Sequence, residues 1–130
     1  KQLIAAASAS TDVYKVPEEL AASNVYIYIK NRIADKLPLP EQFSWTKLQE
    51  NISSVFPDWR QSLSILGGAN LTQESIKTML LIKCGYTPSE LALLLSITKG
   101  SVSSRRTEIS KKLLGDKYPL QIVDAVIRLL

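Results

Sequence analysis

Histidine is absent from the 130-residue chain, and cysteine occurs once, at Cys84. The first absence removes the commonest metal ligand and the base of Ser-His and Cys-His catalysis. The second rules out a disulfide within the chain, and a single thiol fits a reducing compartment. There is no glycine-rich phosphate loop, ligand cluster or paired carboxylate, so an enzyme reading has no residues to carry it and no cofactor is expected. Every apolar run is too short to span a bilayer, and the alanine-rich start is too short for a signal peptide. The chain does not open on methionine, which fits a piece of a longer protein with a sensor, anchor or receiver portion upstream. A cytoplasmic location, with no membrane contact by these residues, is the expectation.

What is present is an ordinary globular composition, 45% hydrophobic and 22% charged, with a net charge of +4. The position of that charge is more informative than its size. Residues 1–70 hold seven basic and seven acidic side chains, whereas residues 71–130 hold nine basic and five acidic ones. Between residues 99 and 112 lie five cations, opposed only by Glu108. Clustered positive charge favours a polyanion through long-range attraction and counterion release, although a solvated basic helix face looks the same in composition.

Residues 1–17 show no clear period and read as linker or frayed element. Val25, Ile29, Ile33 and Leu37 then recur every four residues, which predicts a helix despite the strand-like Val25-Tyr26-Ile27-Tyr28-Ile29. Pro38 and Pro40 break the chain. Ser44 caps a helix with Trp45, Leu48, Ile52 and Val55 on its apolar face, and Asp58 caps a short one that Gly67-Gly68 stops. Trp45 and Trp59 read as core anchors, because no acidic cluster accompanies them to recruit a cation.

Punctuation is sharper in the second half. Thr72 caps a helix carrying Ile76, Met79, Leu80 and Ile82, and Gly85 ends it. In Thr87-Pro88-Ser89-Glu90 the threonine is an N-cap, the proline fills the first helical position and the glutamate closes a capping box. Thr98 caps a third helix over residues 98–114, with Val102, Ile109 and Leu113 as its buried line and Gly115 behind it. Tyr118-Pro119 opens a last helix with Ile122, Val123, Val126 and Ile127. Apolar residues on more than one side leave this helix two roles, a dimer face or a cover for the core.

A short capped helix, a tight turn and a longer basic helix make a helix-turn-helix. Ala92 supplies a small residue at the helix crossing, while Ile97 and Val102 lock the angle between the two helices. With Val102 marking the core side, Gly100, Ser104, Thr107 and Lys111 point outward, flanked by Ser103 and Arg105. The hydroxyls of Ser101, Ser103 and Ser104 permit close approach to base edges, and nearby Arg or Lys reaches guanine or phosphate. Three serines there are otherwise only a soluble surface, at some loss of helicity. Arg106 falls about 40° from Val102. Two roles are open to it: snorkelling to the DNA backbone, or bracing the fold through Glu90 or Glu108. Cys84 reads as a small core residue, Lys83 as a solvated lysine and Glu90 as a capping acid.

Residues 71–130 resemble the LuxR-type (FixJ/NarL-like) helix-turn-helix. The resemblance rests on Leu71-Thr72-x-x-Ser75, Gly85, Ser89-Glu90-Leu91-Ala92-x-x-Leu95, Ile97, Gly100-Ser101-Val102, Arg106, Ile109 and Lys112-Leu113. The string from Leu80 through Cys84-Gly85-Tyr86-Thr87-Pro88 to Ala92 is similar to a branch found in Bacteroidetes regulators. There a helix ending near Phe56-Pro57-x-Trp59 also precedes the motif, extending the match back to about Ser23. The family commonly has Lys or Arg in place of Ser103 and often His in place of Arg105. An acid usual in the first helix signature is present here only as Glu74. The resemblance implies an all-α fold: a four-helix helix-turn-helix domain at 71–130, preceded by a small helical extension at 1–70.

It also implies a transcriptional regulator that binds double-stranded DNA as a homodimer. The helix at 98–114 would lie in the major groove, with Lys99, Ser101, Ser103, Ser104, Arg105, Arg106, Thr107 and Lys111 as the contact residues. Two other readings compete: a helix-turn-helix turned to protein interaction, and a sigma-factor-like promoter reader. Against the latter, the front half shows no basic, aromatic-rich helix to melt promoter DNA.

Overall fold

Five hydroxyl side chains set the helix starts. Ser23, Ser44, Thr72, Thr87 and Thr98 each accept a hydrogen bond from the backbone N–H three residues on, at Tyr26, Lys47, Ser75, Glu90 and Ser101. Such caps contribute about 1 kcal/mol each by satisfying an orphan N–H. The computed structural model describes residues 2–9, 14–67 and 70–130. Among these are nine helices and no strand: α1 (Gln2–Ala9), α2 (Glu18–Ala21), α3 (Asn24–Ala34), α4 (Trp45–Val55), α5 (Trp59–Ile65), α6 (Gln73–Lys83), α7 (Pro88–Leu95), α8 (Lys99–Leu114) and α9 (Leu120–Leu129). The all-α expectation holds. No helix among the described residues is long and apolar enough to cross a membrane.

Helix α6 is the centre of the molecule. Met79, Leu80, Leu81 and Ile82 are all buried, so its C-terminal half is covered on nearly every side rather than along one stripe. Helices α7, α8 and α9 pack around it on one side, α4 packs against it from the front half, and α3 rests on α7. One core cluster joins Leu20, Ile29, Leu48, Ile52 and Trp59 to Leu91, Val102, Ile109 and Val123. Packing therefore runs through residue 70 without a break.

Four expectations change. Residues 2–9 form a helix where no period is visible. Alanine gives high helix propensity, but eight residues are too few to be stable alone, and α1 is held by packing on α9, where Ala7 is buried. Leu37 lies beyond α3 and is exposed, because the helix ends at Ala34 and Lys36 turns left-handed. Asp58 precedes α5 but makes no capping hydrogen bond, its backbone being already helical. Gly67 has the positive φ expected of a helix stop, whereas Gly68 lies outside the described residues.

The fourth change is the largest. Lys83, read as solvated, is fully buried: its Nζ lies 3.9 Å from the centre of the Phe56 ring and donates to the carbonyls of Ile127 and Arg128 at 3.3 and 3.2 Å. It caps the C-terminal end of α9, where the helix dipole favours a cation. Arg128 returns the contact, its Nε donating to the Ile82 carbonyl at 3.2 Å, while the Tyr14 hydroxyl donates to the Lys83 carbonyl at 2.7 Å. Two helix ends thus cap each other. Burial holds the Lys83 ammonium down at about 8 from an ordinary 10.5, and pushes the neighbouring Cys84 thiol up to about 12. That thiol is an inert core group. Gly85 next to it has φ +88, and a Cβ there would stand 3.0 Å from the Val16 side chain, so residues 14–16 lie directly across this corner.

Candidate functional site

The corner between α7 and α8 follows its punctuation closely. Thr87 and Glu90 form the complete capping box, with the Glu90 Oε1 accepting from the Thr87 N–H at 2.8 Å and Pro88 in the first turn. That contact gives Glu90 the capping role. Helix α7 buries Leu91 and Leu94, and half-buries Ala92 and Leu95. Ser96 then turns left-handed at φ 56, Ile97 donates its N–H to the Ala92 carbonyl, and Thr98 caps α8. The Thr98 hydroxyl also donates to the Ser101 hydroxyl at 3.0 Å, so Ser101 is partly occupied by the cap.

Val102, Ile109 and Leu113 are buried as expected, and Arg106 and Ser110 join them. The opposite side of α8 is open: Lys99, Gly100, Ser101, Ser104, Glu108 and Lys111 are exposed, and Ser103, Arg105 and Thr107 are half-buried at its flanks. Of the eight contact residues expected from sequence, seven lie on this face or its edges. Arg105 leans toward α6, where its Nη1 meets the Thr78 hydroxyl at 3.4 Å, a tether at the long limit of a hydrogen bond.

Arg106 is corrected. Only 6% exposed, it makes a two-pronged ion pair with Asp124 of α9, Nε to Oδ1 at 3.0 Å and Nη2 to Oδ2 at 2.6 Å. It braces the fold, but through neither Glu90 nor Glu108. Its planar guanidinium matches the Asp124 carboxylate with two parallel hydrogen bonds, which turns it inward from the open side of α8. The signal for it was there: Asp124 is the one charge in an otherwise apolar run from Ile122 to Ile127.

The pairing reduces the charge available to a ligand. Arg106 is neutralised, and Lys112 bridges to Glu108 at 3.1 Å and to the Asn70 carbonyl at 2.9 Å. Lys99, Arg105 and Lys111 remain without an ion pair among the described residues. Helix α8 therefore presents a face of small side chains and hydroxyls with three cations around it, held from behind by α6, α7 and α9. No family model, curated protein or solved structure matches the chain.

Proposed function

We propose that the chain binds duplex DNA through the outer face of α8, as the DNA-reading part of a LuxR-type transcriptional regulator. One observation carries the reading: a short capped helix and a left-handed turn hold α8 so that its small-residue face is exposed along Gly100, Ser101, Ser104 and Lys111. A helix lying in the major groove needs this combination of rigid backing, low side-chain bulk and nearby cations. Ser101, Ser103, Ser104 and Thr107 would face base edges or sugar, with Lys99, Arg105 and Lys111 toward phosphates. Pairing of two copies would supply the specificity that one short helix lacks. Helix α9 is packed by α6 and α8 and by α1, which leaves Leu129 as its exposed large apolar residue.

The test is a titration of a fluorescent mixed-sequence duplex, read by anisotropy, with the unaltered chain and the pair Ser104→Glu/Lys111→Glu. Both positions are exposed, so the fold should be spared. The expected result is roughly a 100-fold loss of affinity in the variant. For the unaltered chain, the three unpaired cations of α8 contribute about −2 to −3 to the log–log salt slope per bound chain. Equal affinity in the two proteins would move the DNA surface off α8. The absence of binding at low salt would favour a protein-interaction role for the same face.

A further inference from the structure

Among the described residues only two non-glycine backbones are left-handed, Lys36 and Ser96, both at φ 56. Ser96 lines one groove, and Lys36 lies close in sequence to that groove's Pro38 wall. Pro38, Ala92, Leu93, Ser96, Ile97 and Thr98 line this shallow, widely open depression of about 350 Å³ between the α3–α4 connection and α7, and it reaches the N-cap of α8. Lys36 stands two residues before Pro38. There the Lys36 N–H bonds the Ile33 carbonyl and the Leu37 N–H bonds the Arg32 carbonyl at 2.8 Å, closing α3 in a Schellman turn. Glycine is the usual occupant of that left-handed position, and a lysine is strained in it.

The connection is fixed rather than merely adjacent. The Leu39 N–H donates to the Leu94 carbonyl at 2.9 Å, and the Arg32 guanidinium donates to the Pro38 carbonyl through Nε at 2.8 Å and through Nη2. This ties the end of α3 to the end of α7. Lys36 and Lys99 are exposed without an ion pair among the described residues, and no carboxylate lines the groove. Asp35 beside Lys36 is exposed. Strain kept at a residue that glycine would relieve points to the side chain's use.

We infer that this groove takes the sugar-phosphate backbone of duplex DNA beside the base-reading face, with Lys36 contacting a phosphate. The inference rests on the DNA reading of α8 and extends it into the front half of the chain. Deoxyribose edges meet Pro38, Ala92 and Leu93, while phosphates meet Lys36, Lys99 and the exposed Ser96 hydroxyl. The N-terminal end of α8, with its positive dipole, opens on the same groove.

Lys36→Gly is the decisive variant, because it removes the cation and relieves the backbone together. Against a fluorescein-labelled mixed-sequence duplex it should bind about five- to tenfold more weakly at low salt, with a log–log salt slope shallower by about 1. Its Tm should stay level or rise, which a residue with only a structural role would not combine with lost affinity. Wild-type affinity and slope for Lys36→Gly, alongside weakened binding by Ser104→Glu/Lys111→Glu, would overturn this inference and leave the α8 reading standing. No binding by the unaltered chain at low salt would overturn both.

Discussion

Arg106→Ala should lower the unfolding free energy by about 3–5 kcal/mol, read from urea unfolding. The size follows from what is left behind. Asp124 would keep its charge in a site 14% exposed, having lost both guanidinium hydrogen bonds that offset its desolvation. The pair itself is not a large net source of stability, because removing both charges removes the desolvation cost along with the attraction. Arg106→Met with Asp124→Leu should therefore recover most of the loss, to within about 1–2 kcal/mol of the unaltered chain. The double variant also separates bracing from binding. On the present geometry it should keep its DNA affinity, since neither side chain reaches the outer face of α8. A single variant with unchanged stability would show that Arg106 is not paired inside.

Lys83→Ala is the second large effect, an expected loss of about 2–4 kcal/mol. It would empty the space under Phe56 and strip the Ile127 and Arg128 carbonyls of their donor at the end of α9. The pH dependence gives a sharper signature, and its sign opposes intuition for a hydrogen-bonded lysine. Burial lowers the folded-state value to about 8 from 10.5, so between these values the unfolded chain binds more protons. Stability from this group then rises with pH, by at most about 1.4 kcal/mol per unit, and is lost as pH falls through 8. The Cys84 thiol and the Tyr14 hydroxyl act oppositely. Both are raised to about 12 by burial, so each favours the folded state less once pH climbs past its ordinary value of 9.0 or 10.0. Burial pushes the Tyr86 hydroxyl up as well. Between pH 8 and 9 the lysine dominates. Stability of the unaltered chain should rise there and then fall, and the rise should vanish in Lys83→Met. A rise that survives in Lys83→Met would assign it to another group.

The contrast between these two buried cations and the capped helix starts shows what the sequence discloses. Thr72, Thr87-Pro88-Ser89-Glu90, Thr98 and Gly115 act on backbone groups within a few residues, so their roles are legible from spacing alone. The outer face of α8 is legible for the same reason, since Val102 fixes the rotation of everything up to Lys111. Partners far along the chain are another matter. Arg106 meets Asp124 eighteen residues away, and Lys83 meets carbonyls more than forty residues away. Nothing in local period specifies such meetings. Helix α1 is the extreme case, because an alanine-rich segment carries no directional pattern and only its docking on α9 makes it a helix. The groove at Pro38 was likewise hidden, as it joins residue 38 to residues between 92 and 98. Lone charges in apolar runs, Lys83 and Asp124 here, are the useful warning that such a partner exists.

The central claim is that α8 meets DNA with its outer face, and mapping backbone amide shifts of the isotopically labelled chain on titration with a duplex tests it most directly. The account predicts the largest shifts at Gly100, Ser101, Ser104 and Lys111, with smaller ones near Lys36 and Ser96 and little change along α1 or α5. Shifts gathered on α4, α5 or α9 instead, with α8 unmoved at low salt, would contradict it.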